Sequence, residues 1–175
     1  MPSTFIRIFV LAACLLCLST KGQDWKSLEK NGMQVEWKVE ADSVFFRFAA
    51  PTNGWIALGF NTKDQLKGSS LIMACVSETT GSAEKVERIE EHYIVKPGIH
   101  QHVAELGKQS IIGNTNIHED GGKYTMARFA IPLNYTNDER ISLQASSTYY
   151  FILAYSQSDD FEHHSRMRTS VQVTL

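Results

Sequence analysis

The sequence predicts an all-β fold, an antiparallel immunoglobulin-like β-sandwich. Three observations carry that expectation. Eight or more short runs either alternate polar and apolar residues or are continuously apolar, the marks of half-buried and fully buried strands. Gly, Pro, Asn and Asp cluster between these runs as turn signals. No long stretch keeps the 3.6-residue apolar period of an amphipathic helix. The composition agrees: 43% hydrophobic, 10% aromatic and 21% charged is a globular balance that excludes wholesale disorder.

The strands read in order. Gln34 to Val39 alternates strictly, a half-buried strand, and Ala41-Asp42-Ser43 turns it into the aromatic run Val44 to Phe48. Pro51-Thr52-Asn53-Gly54 is a strong turn. Trp55 to Phe60 is nearly all apolar and reads as a central strand covered on both faces. Thr62 to Ser70 is a polar loop before a second buried strand, Leu71 to Val76, broken at Gly81-Ser82. Val86 to Val95 fits strand or irregular backbone, and Val103 to Leu106 fits a helical turn after Pro97-Gly98. Asp120-Gly121-Gly122 is a hairpin-type turn into Tyr124 to Ile131, which Pro132-Leu133-Asn134 ends. Thr148 to Tyr155 is a last buried strand, and Thr169 to Leu175 alternates again.

Residues 1–22 have the layout of a secretory signal peptide: Arg7, an apolar run from Ile8 to Leu18, and small residues before Gln23. The run is shorter than the ~20 residues a membrane-spanning helix needs. Residues 23–175 are then a single secreted, periplasmic or extracellular domain. Leu11-Ala12-Ala13-Cys14 also fits a lipoprotein box, with Cys14 as the anchor. Removal of residues 1–22 takes Cys14 and Cys17 away and leaves Cys75 without a disulfide partner, so the core alone must hold the domain. In its apolar run Cys75 reads as a small buried hydrophobe. Loss of Arg7 and Lys21 takes the net charge from -2 to -4, which speaks against a nucleic-acid partner.

Most enzyme signatures are missing: the sequence has no phosphate-binding glycine loop, no Gly-x-Ser-x-Gly elbow and no His-Glu-x-x-His helix. No catalysis of its own is expected. Asp159, Asp160 and Glu162 lack the ligand spacing of an EF-hand and read as a solvated turn. His100 and His102, two apart, share a strand face, but no third metal ligand follows nearby. His163 and His164 are adjacent, so in extended backbone one can face a pocket and the other solvent. Asn134-Tyr135-Thr136 is an N-glycosylation sequon, relevant in a eukaryotic source.

Gly54-Trp55-Ile56-Ala57-Leu58-Gly59-Phe60-Asn61, followed by Leu66-Lys67-Gly68-Ser69-Ser70-Leu71-Ile72-Met73, resembles the signature of DOMON domains. These are extracytoplasmic β-sandwiches found in dopamine β-monooxygenase relatives, cellobiose dehydrogenase cytochrome domains and plant cytochrome b561-linked proteins. The resemblance runs over about residues 30–175, and the late double histidine is similar to bacterial secreted versions. It implies a b-type haem or a sugar-like ligand in a pocket at one end of the sandwich. In haem-binding members a Met after the Gly-Trp strand and a His before the last strand are the axial ligands. The His corresponds to His163 or His164; Leu66 stands at the Met position, and Met73 lies seven residues later, inside the next strand.

That resemblance implies three functions. One is electron transfer through haem b, with His163 or His164 as one axial ligand and Met73, or no second residue, as the other. Another is a haem-free module whose pocket is lined by Trp55, Phe60, Leu66, Tyr150 and the histidine loop. The third is an interaction domain acting with a redox partner protein. Arg166 and Arg168 beside the histidine loop suit haem propionates or an acidic ligand, or else solvent and the Asp159-Asp160-Glu162 cluster.

Overall fold

Period-two alternation becomes strand faces directly. In the computed structural model, which describes residues 24–78, 85–103, 117–119, 124–135 and 140–175, Met33, Val35 and Trp37 point inward while Gln34 faces solvent. The elements are β1 (Lys26–Lys30), β2 (Met33–Glu40), β3 (Ser43–Ala50), β4 (Ile56–Asn61), β5 (Ser70–Glu78), β6 (Lys85–Lys96), β7 (Ile99–His102), β8 (Ile117–Glu119), β9 (Thr125–Pro132), β10 (Thr148–Tyr155) and β11 (Met167–Thr174). They form two antiparallel sheets, a five-stranded one in the order β1-β2-β3-β9-β8 and a six-stranded one in the order β11-β10-β4-β5-β6-β7. The expected all-β sandwich is therefore present.

The two inner faces meet in an aromatic core. Phe46 stacks on Phe129 at 5.1 Å and contacts Phe60 at 5.1 Å and Phe151 at 5.9 Å. Trp37 meets Phe151 edge-on at 5.4 Å. Such pairs add about 0.5–1.5 kcal/mol each beyond the area they bury. This core holds the sheets together, and Cys75, the cysteine among the described residues, is free.

Three strands were not read from the sequence: β1, β7 and β8. The β1–β2 turn is Asn31-Gly32, both at positive φ (52° and 80°), the backbone a two-residue hairpin requires. The ambiguous Val86–Val95 run is strand, the core of twelve-residue β6. Asn134 is exposed in the turn after β9. The signal peptide, Cys14, Cys17, Gly81-Ser82, Asp120-Gly121-Gly122, Thr136 and most of the 103–106 turn lie outside the described residues. Among the described residues no helix is long and apolar enough to cross a membrane.

Candidate functional site

The Gly-Trp segment does two jobs because its side chains alternate. Ile56, Leu58 and Phe60 belong to the core between the sheets. Ala57 and Gly59 face the other way, onto the outer surface of the six-stranded sheet. Ala57 is paired with Met73 on one side and Ala154 on the other; Gly59 is paired with Leu71 and Ile152. A Cβ on Gly59 would lie 3.0 Å from Leu71 and 3.1 Å from Ile152. Small residues thus hollow this outer surface, and Trp55, Leu71, Met73, Cys75 and Ile94 form a second apolar cluster there.

The segment between β10 and β11 folds back over that hollow. Phe161, 3% exposed, plugs into the second cluster, and the Arg88 guanidinium lies 4.5 Å from its ring centroid. The backbone is pinned at several points. Trp55 N donates to Ser158 O at 2.9 Å, Ser156 N donates to Trp55 O at 2.9 Å, and Thr52 Oγ1 donates to Ser156 O. The indole Nε1 of Trp55 donates to His163 O at 3.2 Å, and Ser156 Oγ donates to His164 O at 3.2 Å. The Cys75 thiol donates to Asp159 O at 3.3 Å, and burial pushes its pKa up to about 11, so it is an inert structural thiol.

On the other side of the hollow the 62–69 loop is held by Asn61 together with backbone bonds, among them Gly68 N to Ile94 O at 2.8 Å. Asn61 Nδ2 donates to Gln65 O at 2.9 Å, Lys67 O at 3.2 Å and Ser69 Oγ at 2.8 Å. That brings Leu66 to the rim.

Between these segments is a cavity of about 90 Å³. Its floor is apolar, with Trp55, Ala57, Met73, Ile94 and Ala154 among its residues. Its rim carries His100, Glu162, His163, His164 and Arg168. The cavity lies on the outer face of the six-stranded sheet, not at one end of the sandwich as the resemblance implies.

A family model described as DOMON domain matches residues 29–156. The chain belongs to the DOMON family. The match stops at Ser156, so the His163–His164 loop and β11 lie beyond it. The chain is also similar to the DOMON domain-containing protein FRRS1L of Homo sapiens and of Mus musculus, each 26% identical over 121 residues. Those residues are 69% of this chain but 37% of either relative, so the match spans about a third of the proteins it resembles.

Of the residues singled out in the sequence, Trp55, Leu66, Met73, His163, His164 and Arg168 line this one cavity of the DOMON domain. Phe60 does not: it points to the opposite face, 1% exposed, against Phe46 and Phe151. A strand alternates, so Phe60 cannot share a face with Ala57 or Gly59. Tyr150 is at the far end of β10, paired with Asn61, four positions and about 13 Å along the strand from Ala154. Arg166 is exposed, and its backbone N donates to Tyr155 O at 2.8 Å. Ala57, Ile94, His100, Ala154 and Phe161 were not anticipated as lining residues. The signal for Phe161 was present: a large aromatic inside an acidic loop needs an apolar surface to cover.

A b-type haem was tested against this geometry. Pockets for drug- and cofactor-sized ligands are about 300–1,000 Å³, several times this cavity. Leu66 offers no ligand atom at the rim, and Met73 is 2% exposed on the floor. A porphyrin does not fit the residues in this arrangement.

Proposed function

We propose that this DOMON domain is an extracytoplasmic, haem-free binding module for a small amphipathic molecule. The carrying observation is the cavity itself: an apolar floor hollowed where Ala57 and Ala154 are small, under a pinned loop, with imidazoles and Arg168 at the mouth. An apolar body would sit against Met73, Ile94 and Ala154, and an anionic or hydrogen-bond-accepting head would meet Arg168 and the histidines. A stacked sugar suits the site less well. Stacking needs an open aromatic face, and Trp55 is only 4% exposed.

The haem reading has one observation in its favour: Met73 and the His163–His164 pair line the same cavity. It requires the loop to leave its anchors on Trp55 and Ser156.

A thermal-shift panel of small aromatic carboxylates, sugars and hemin tests the proposal. The expected result is stabilisation by an aromatic carboxylate such as benzoate, since a ligand of the native state raises stability. Ala154→Leu, which fills the floor, should abolish the shift. Stabilisation by hemin alone, with a Soret band lost in His163→Ala or His164→Ala, would replace this reading with the cytochrome one.

A further inference from the structure

Beside the cavity, β6 and the edge strand β7 bring together a group of side chains that meets the ligand site only through His100. His92 pairs with His102 across the two strands, and Ile94 pairs with His100. Three imidazoles therefore share one face. The His92 and His102 rings stack at 5.2 Å, and the His92 and His100 rings meet edge-on at 4.7 Å.

The bonding inside this group is directional. Arg88 donates to Glu90 Oε1 from Nη2 at 2.8 Å and from Nε at 3.2 Å. The other oxygen of Glu90 lies 3.2 Å from His92 Nε2. A carboxylate only accepts, so His92 carries its proton on Nε2 and keeps a lone pair on Nδ1. That Nδ1 is 2.9 Å from Nδ1 of His100. Burial, followed by the neighbouring His100, pulls the His92 pKa down to about 4, so the ring is neutral near pH 7.

We propose that His92 Nδ1 and His100 Nδ1 form a binding site for an imidazole-seeking transition-metal ion, Cu(II) or Zn(II). Glu90, His92 and His100 have the order of a carboxylate–histidine–metal relay. Glu90 orients the first imidazole and makes it more basic, as outer-shell carboxylates do for metal-bound histidines. Two imidazole nitrogens on a tetrahedral ion at about 2.0–2.1 Å are roughly 3.3–3.4 Å apart, so the pair must open by only about half an ångström. His100 can supply that movement: it is half-buried and belongs to the edge strand. Its proton shifts from Nδ1 to Nε2 as the ion binds, with no net proton loss. His100 also lines the cavity mouth, which gives the ion a path to His92, itself 4% exposed. Among the described residues no three acid, imidazole or thiol groups already converge as a cage, so this is a two-nitrogen site completed by water. Cu(II) should bind more tightly than Zn(II) by the usual order for nitrogen ligands.

The test is titration of the untagged protein with Cu(II) and, separately, Zn(II), using a competing chromophoric chelator. Expected are one equivalent of bound metal and an electron paramagnetic resonance spectrum of the Cu(II) form showing two imidazole nitrogens. His100→Ala should lower affinity at least about 100-fold, and Glu90→Gln by about 10–100-fold. The His163→Ala/His164→Ala double variant should retain binding. Unchanged affinity in His100→Ala, no saturable binding, or a spectrum without two nitrogens overturns the proposal. Loss of binding in the loop double variant alone also overturns it. A wild-type spectrum without two imidazole nitrogens overturns the proposal whether or not a variant folds, and the variants assign the nitrogens to this pair.

Discussion

Gly54 lies directly against the backbone of Ser158: a Cβ on Gly54 would sit 2.5 Å from the Ser158 carbonyl oxygen. It would also lie 2.6 Å from Ser156 O and 2.6 Å from the carbonyl carbon of Gln157. No flexible side chain can yield there, because every neighbour is main chain. The glycine before the tryptophan is what lets the roof of the cavity close. Gly54→Ala should destabilise the domain by about 1–3 kcal/mol, the usual cost of overpacking, a fall in melting temperature of roughly 3–10 °C. It should also expose Trp55, visible as a red shift in its fluorescence. An unchanged melting temperature would mean the roof is not held at Gly54.

Glu91 and Arg140 are a buried ion pair, with Arg140 Nε 3.2 Å from Glu91 Oε1 and both side chains at most 1% exposed. Removing one member of such a pair strands a buried charge at a cost of about 3–5 kcal/mol. Arg140→Met should therefore shift the urea midpoint strongly. The double variant Glu91→Leu/Arg140→Met should recover most of that loss. Equal damage in the single and double variants would show that the charge itself is not the cause.

His92 gives the stability a defined pH dependence. Its folded pKa is about 4 against an ordinary 6.5, because burial and then His100 disfavour the charged ring while Glu90 opposes them. His102, from the same edge strand as His100, adds to the first effect. A depressed base means that the unfolded chain takes up protons first. The native state keeps its full advantage above pH 6.5 and loses it as the pH falls toward 4. The loss amounts to a few kcal/mol over that window. Urea unfolding at pH 7.5, 6 and 4.5 should show it, and His92→Gln should flatten the profile across this range. A flat wild-type profile between 7.5 and 4.5 would refute the assignment.

The fold was legible wherever alternation or a continuous apolar run reported burial. β2, β3, β4, β5, β9 and β10 were all visible on that basis. β6 was less clear because it buries Glu91 and His92, which leaves no clean apolar face to read. β1 is short and mostly exposed, so its only strong mark was the Asn31-Gly32 turn. The site was half legible. Trp55, Met73, His163 and His164 stood out by residue type, whereas Ala57, Gly59 and Ala154 contribute by being small. Absence of a side chain has no signal until the sheet register is known. Phe60 was misplaced for the related reason that one motif serves two faces. The Glu90–His92–His100 relay depends on the pairing of β6 with β7, which spacing along either strand does not show.

Under the proposed function, the hollow beneath Phe161 receives a small ligand. A titration of isotope-labelled protein with benzoate, followed residue by residue by nuclear magnetic resonance, tests it most directly. Saturable shifts are expected at Ala57, Met73, Ile94, Ala154 and Phe161, and none in Ala154→Leu. Shifts confined to the outer face of the other sheet, around Phe45, Arg47 and Met126, or no saturable shifts for benzoate and its close analogues, would contradict it.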